Sequence, residues 1–510
     1  MGKKMSAASH CNAFKGLYST CLLIFSIVLV MGLIFTNQTG LSQDAHPAAA
    51  FIVLWVTLIW LSMVEGGQAS LVGLHPVDKE LYVDTHPLTY KNCSITNKGD
   101  NLDRYLMGRQ FMVIFIVFCI NYSGAPVPGA ELWNLPTWVT TIFLNTGIAM
   151  ILLTCMVGQL ASQVNASHCM LDYINNYFAL FTLYVAMAVE FTGVMHCSYL
   201  IAMIIGCLAG KPIESREPPK TGFWLIFFWL RVLWSIGVLG FALAVTLSAL
   251  FQGKTTMWPG VPGGVAVVLF FVLMSVVGML EGMQIAFFAV TKIKKEDRGD
   301  KKFAKMTCEL LFKGKGRNLP GFMIGRQLSV VTCFFVIARV TTLSIAEGEG
   351  NLWGVPDALQ NFFNTGFLGA IITTILGSIT WQLVASAFPI AFLSNPITYI
   401  FLVICLAFEW TGICGGAWVL AWIMKKMIGF QRDEVYIGTA EEREQQGHKD
   451  DAEDLQAGAG HMIKLPGFYE DAPDSLKELM TTDPDVAKWM QESSASLQAP
   501  AEDADVEAQE

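Results

Sequence analysis

Residues 275–290 read SVVGMLEGMQIAFFAV, a run made for hydrocarbon that nonetheless holds Glu281 and Gln284 three positions apart. Residues 62–72, SMVEGGQASLV, repeat the arrangement with Glu65 and Gln68, and in both runs a glycine (Gly282, Gly66) directly follows the acid. A carboxylate and an amide at i and i+3 share one face of a helix. An ionisable group at helix-centre depth costs about 2.5 to 3.5 kcal/mol on insertion scales, and its relief is to face a bundle interior, a partner or water. A single copy reads as a helix end pairing at the interface, with a basic partner snorkelling. Two copies in one chain, each beside a glutamine, favour a site.

The surrounding composition belongs to a membrane protein. The chain has 510 residues, 53% hydrophobic and 15% charged, with a mean hydropathy of +0.48. Apolar runs of about 20 residues, enough to cross a bilayer, recur roughly ten times. They show no barrel-like alternation, so they are helices. The expected fold class is an all-α polytopic membrane protein with spans near 17–36, 49–74, 106–122, 137–160, 177–209, 221–251, 264–290, 321–343, 360–385 and 393–425. The net charge of -9 sits mostly in a tail rich in Glu, Asp, Ala, Gln and Ser, which reads as mostly disordered and offers no binding surface for nucleic acid. Most of the twelve cysteines lie in apolar runs without a C-x-x-C pair, so neither a disulfide framework nor a structural zinc site is indicated.

The two halves superimpose in sequence. VEGGQ at Glu65 answers LEGMQ at Glu281; LMGRQ at Gly108 answers MIGRQ at Gly325; FLNTG at Asn145 answers FFNTG at Asn364; VEFTG at Glu190 answers FEWTG at Glu409. Gln163 and Gln382 follow at equivalent positions. This defines an N-terminal segment 1–16, a first five-helix repeat 17–210, a second 221–428, and an acidic tail 429–510. Five crossings are odd, so the expectation is ten transmembrane helices as two inverted repeats with a solute site between them. Under ten spans, the ten Lys and Arg of 292–317 oppose the remaining basic residues across the membrane, and charge does not choose an orientation. The sequons at Asn37 and Asn92 fall on opposite faces in this reading.

The expected solute site comprises Glu65, Gly66, Gln68, Gly108, Arg109 and Gln110 with Glu281, Gly282, Gln284, Gly325, Arg326 and Gln327. Arg109 and Arg326 are the natural partners of the glutamates, and the glycines thin their helices for a close approach. Amides, carboxylates and guanidinia in near-symmetry, with a net charge near zero, suit a small neutral polyhydroxylated solute. Asn145, Thr146 and Glu190, with Asn364, Thr365 and Glu409, are oxygen ligands of the kind a sodium ion takes, although helix packing through Thr-Gly explains them too. No nucleophile with a base and no H-E-x-x-H occurs, so an enzyme is not expected.

Paired E-G-x-Q and G-R-Q motifs, in this order and on the expected helices, resemble the silicon transporters of diatoms. The resemblance implies uptake of silicic acid, coupled to sodium, across the plasma membrane with both termini cytoplasmic. Cys169 to Asp172, CMLD, looks like a motif of some diatom members for which a zinc-assisted role has been suggested. Members often end in a coiled coil; this tail shows no clear one, and a homo-oligomer stays open. The rival readings are a passive pore for neutral solutes and a non-transporting silicic acid sensor.

Overall fold

The computed structural model describes residues 7–438 apart from 76, 128, 209–220, 259, 292–300, 314–317 and 346–349, together with Arg443. The N-terminal segment is described only from residue 7, and most of the acidic tail lies outside the described residues. Each half holds four long apolar spans. In the first they are Ala7–Phe35, Pro47–Leu74, Asn101–Gly124 and a stack running from Ile148 to His168; in the second, Phe223–Phe251, Gly263–Thr291, Asn318–Thr341 and a stack beginning at Phe367. Among the described residues eight helices are long and apolar enough to cross a membrane. The third and fourth spans of each half are the most buried, and the first two of each half expose large aliphatic and aromatic side chains, as lipid-facing helices do.

Local chemistry sets the ends. Pro47 and Pro396 each open a helix, where the missing N–H costs nothing. Asn176 and Asn395 cap theirs, accepting from the amides of Ala179 and Ile397 at 2.8 and 3.0 Å. Between the second and third spans, where the sequence suggested only loop, each half forms a ten-residue helix, Pro87–Thr96 and Lys302–Leu311. The second is amphipathic: Ala304, Thr307, Cys308 and Leu311 are buried at helical spacing while its lysines stay outside.

The fifth element departs from expectation. Instead of one helix over 177–209 there are two, Tyr177–Phe191 and Cys197–Leu208; the counterpart over 393–425 is Pro396–Thr411 and Gly416–Ile428, bent by 67°. The break has a local cause. Gly193 and Gly412 adopt φ of 79° and 70°, which favours glycine, and their N–H groups close onto the carbonyls of Glu190 and Glu409. The Asn-Thr-Gly triplets break the fourth span in the same way, with Gly147 and Gly366 at φ of 79° and 77°.

The halves meet with like ends together. Arg339, near the end of the second half's third span, and Trp258, after its first, both donate to the carbonyl of Asn145, where the first half's fourth span begins. Conversely, Phe118 near the end of the first half's third span packs on Gly366 and Gly369, where the second half's fourth span begins, and Phe115 lies edge-on to Phe367 at 5.7 Å. Inverted halves would hold these ends at opposite faces. These contacts set like ends of the halves side by side, and the inversion expected from five crossings is not shown by them. Among the described residues the spans number four in each half, or nine in all if the bent pair Pro396–Thr411 and Gly416–Ile428 counts as one, so the expected ten crossings are not shown.

Candidate functional site

The Glu-Gly-x-Gln pairs sit on the second span of each half and the Gly-Arg-Gln triplets on the third, and antiparallel packing of these spans brings them together. Glu65 and Arg109, 4% and 5% exposed, form an ion pair with Arg109 Nη2 3.0 Å from Glu65 Oε2. Glu281 and Arg326 repeat it at 2.9 Å. Each arginine also donates through Nη1 to the following glutamine, at 2.8 Å to Gln110 Oε1 and 3.0 Å to Gln327 Oε1. A buried pair of this kind holds only if its remaining hydrogen-bonding positions find partners.

Those partners come from the fourth span. Gln163 Nε2 donates to Glu65 Oε2 at 3.0 Å, and Gln382 Nε2 to Glu281 Oε2 at 2.7 Å. The sequence paired these two glutamines as repeat equivalents without assigning them to the site. Gln159 Nε2 adds a third donor to Glu65, 3.3 Å from Oε1. Ser378 stands at the equivalent position of the second half, so repetition in the sequence carries no signal for it. Both fourth spans pass through a π-helical turn here, Thr154–Leu160 and Ile375–Ile379. Such turns recur at functional sites because they re-aim the side chains that follow.

The two clusters line one cavity between the halves, walled by Glu65, Gln68, Arg109, Gln110, Gln159 and Gln163 and their counterparts Glu281, Gln284, Arg326, Gln327 and Gln382. Val113, Val330 and Phe334 close it on the apolar side. Eight of the twelve expected solute residues are thus in the lining, and the four glycines are not. A Cβ on Gly66 or Gly282 would collide with the ring of Tyr173 or Phe392, and one on Gly108 or Gly325 with the carbonyl of Ala186 or Cys405. The glycines admit neighbouring protein, not solute.

The expected cation ligands do not converge. Asn145 and Thr146 are exposed at the break that faces Arg339 and Trp258, and Asn364 Oδ1 accepts from Gln360 at 2.9 Å while the Thr365 hydroxyl turns back to the Phe362 carbonyl. Glu190 is buried beside His196, 3.5 Å away, and Glu409 lies against Gly321. All six flank glycine-made helix breaks and lie outside the cavity lining.

Cys169 and Asp172 do not form a ready zinc site either. The Asp172 carboxylate lies 3.0 Å from His86 Nε2 and accepts from the Gln431 amide at 2.6 Å. Burial pushes the Cys169 thiol up to about 12. Among the described residues no group of three His, Cys, Asp or Glu is gathered to hold a metal. What the segment does hold is the start of the tail: Asp433 accepts from the amides of Met170 and Leu171 at 3.0 and 2.8 Å, docking residues 431–437 on the first half. Nearby Asn92 is 1% exposed and its amide nitrogen donates to the Ile174 carbonyl at 3.1 Å, so its sequon is spent on packing.

Compared with known proteins, residues 7–510 match the family model described as Silicon transporter, which extends the resemblance through the tail. No curated protein and no solved structure matches the chain.

Proposed function

The chain belongs to the silicon transporter family, and on that premise we propose that it takes up silicic acid, binding it in the cavity between the halves and driving it with sodium. The observation that carries this reading is the doubled cage. Silicic acid is a small neutral tetraol whose hydroxyls each donate and accept. Two carboxylates balanced by two guanidinia, ringed by glutamine amides, can replace its water shell without attracting an anion. Gln68, Gln110, Gln284 and Gln327 bind the solute in this reading, while the Glu–Arg pairs hold their geometry. Because the solute is neutral, the membrane potential does no work on it, and accumulation needs a coupled ion.

Charge supports an orientation once like ends share a face. The segments between second and third spans carry Lys79, Lys91 and Lys98 in one half and the ten Lys and Arg of 292–317 in the other. The four segments at the opposite end carry Lys254 alone. Excess Lys and Arg marks the cytoplasmic side. We therefore assign the 75–100 and 292–317 segments, with both termini, to the cytoplasm of a plasma-membrane protein. In a background without reactive cysteines, an impermeant maleimide applied to intact cells should label a cysteine placed at Glu131 and spare one at Lys98. The reverse pattern, or labelling of both, would overturn the assignment.

The deciding experiment for transport is silicic acid uptake into liposomes holding the purified protein, with and without an inward sodium gradient. Accumulation above equilibrium only with the gradient is expected. Equilibration indifferent to sodium would make it a passive pore, and absence of flux would make it a sensor. Replacing Gln68 and Gln284 together by alanine should abolish saturable uptake at equal folded yield.

A further inference from the structure

The two half-cages are not equally satisfied. In the first, Gln159 is 1% exposed and lines the cavity; its amide nitrogen is committed to Glu65, and its Oε1 has no hydrogen-bond partner. Arg109 Nε, in the same lining, also has none. In the second half the matching Arg326 Nε donates to the Leu280 carbonyl at 3.0 Å. Ser378, at the position of Gln159, is fully buried with an unpartnered hydroxyl but lies outside the lining. In the first half two lining residues therefore carry an unpartnered buried acceptor and an unpartnered buried donor, and their counterparts in the second half do not form such a pair in the lining.

Buried polar atoms are nearly always paired, and one without a partner on a cavity-lining residue calls for an explanation. The bond to Glu65 fixes which end of the Gln159 amide is free, because a carboxylate accepts only from the nitrogen. We propose that the first half is the primary half-site and that Gln159 is its specificity-determining residue. Its carbonyl oxygen accepts a hydrogen from one solute hydroxyl, while Arg109 Nε–H donates to a hydroxyl oxygen. A solute must offer both functions within a small neutral frame, which a hydroxide such as silicic acid does and an anion or an ether does not. This rests on the silicic acid reading above and deepens it by ranking the halves.

The test is direct binding of monomeric silicic acid to the detergent-purified protein by titration calorimetry, on the wild type, Gln159→Met, Gln159→Asn and Ser378→Ala. Gln159→Met keeps the volume and removes both amide atoms; loss of one neutral hydrogen bond should weaken binding roughly tenfold. Gln159→Asn keeps the amide but pulls it back, and should weaken binding less. Ser378→Ala should bind like the wild type. In liposomes Gln159→Met should raise KM with kcat little changed, a split that a general loosening of the fold would not produce. If Gln159→Met fails to fold, Gln159→Asn carries the test, and wild-type affinity there overturns the proposal. Unchanged affinity in Gln159→Met, or equal loss in Ser378→Ala, also overturns it. Absence of binding by the wild type would sink the silicic acid reading itself, a result distinct from the other two.

Discussion

The two half-cages share a plan and differ in its execution. Glu65 gathers three donors, Arg109, Gln159 and Gln163, whereas the bonds to Glu281 come from Arg326 and Gln382. Beside them Tyr173 fills the space over Gly66 and hydrogen-bonds the Ser62 carbonyl at 2.8 Å, where the second half places Phe392 over Gly282 with no hydroxyl to offer. The tail docks on the first half at Met170 and Leu171. Duplication supplied two copies of one charge-paired frame, and divergence of its surroundings made one copy more polar and more firmly tied. A frame needs only charge balance and close packing, so it can stay symmetric; selecting a solute does not require symmetry.

The largest effect that tests this comparison is removal of a glutamate. Glu65→Ala leaves Arg109 buried without its counter-charge, which should cost about 3 to 5 kcal/mol of stability. Glu281→Ala should cost less, because its arginine keeps the Leu280 carbonyl as a partner. Thermal unfolding of both variants in one detergent measures the difference, and an equal or reversed order would break the comparison. The pair Glu65→Ala with Arg109→Ala should recover part of the loss, since no lone charge remains.

A smaller change makes the halves alike. Tyr173→Phe removes the bond to the Ser62 carbonyl while keeping the ring over Gly66, and should cost about 1 kcal/mol. A shift of the unfolding midpoint as large as that of Glu65→Ala would mean that Tyr173 supports the cage through something other than this bond.

The smallest expected effect lies at a place where the halves differ in sequence, Cys169 to Asp172 against Phe388 to Ala391. With its thiol pushed up to about 12, Cys169 is protonated at pH 8, and only above that value would thiolate accumulate. Folded protein should therefore resist alkylation at Cys169 at pH 8, and added zinc should not alter the rate. Rapid labelling that zinc suppresses would restore a metal role to this segment.

Much of the site was legible before any coordinates. Repetition exposed Glu65, Gln68, Arg109 and Gln110 with their counterparts, because a buried charge in hydrocarbon is costly enough to stand out and two such charges expose a plan. The glycines beside them were legible as places of close approach, though not what approaches. Gln159 was invisible to the same reasoning, because comparing halves finds what they share and passes over what one half has alone. Asn145 and Glu190 recur for a reason that the sequence leaves open. Their recurrence marks left-handed glycine breaks, which repeat as faithfully as a ligand set.

The sequence by itself determined that the chain is a helical membrane protein, that it is doubled, and that each copy carries a charge-paired cage. Hydropathy, helical spacing and repetition are local properties written along the chain. Only the tertiary structure decided how the halves meet, which glutamines of the fourth span reach the carboxylates, and that the fifth element breaks instead of crossing as one helix. These depend on where a few glycines turn the backbone and on a π-helical turn, small local deviations whose consequences appear only across the width of the bundle.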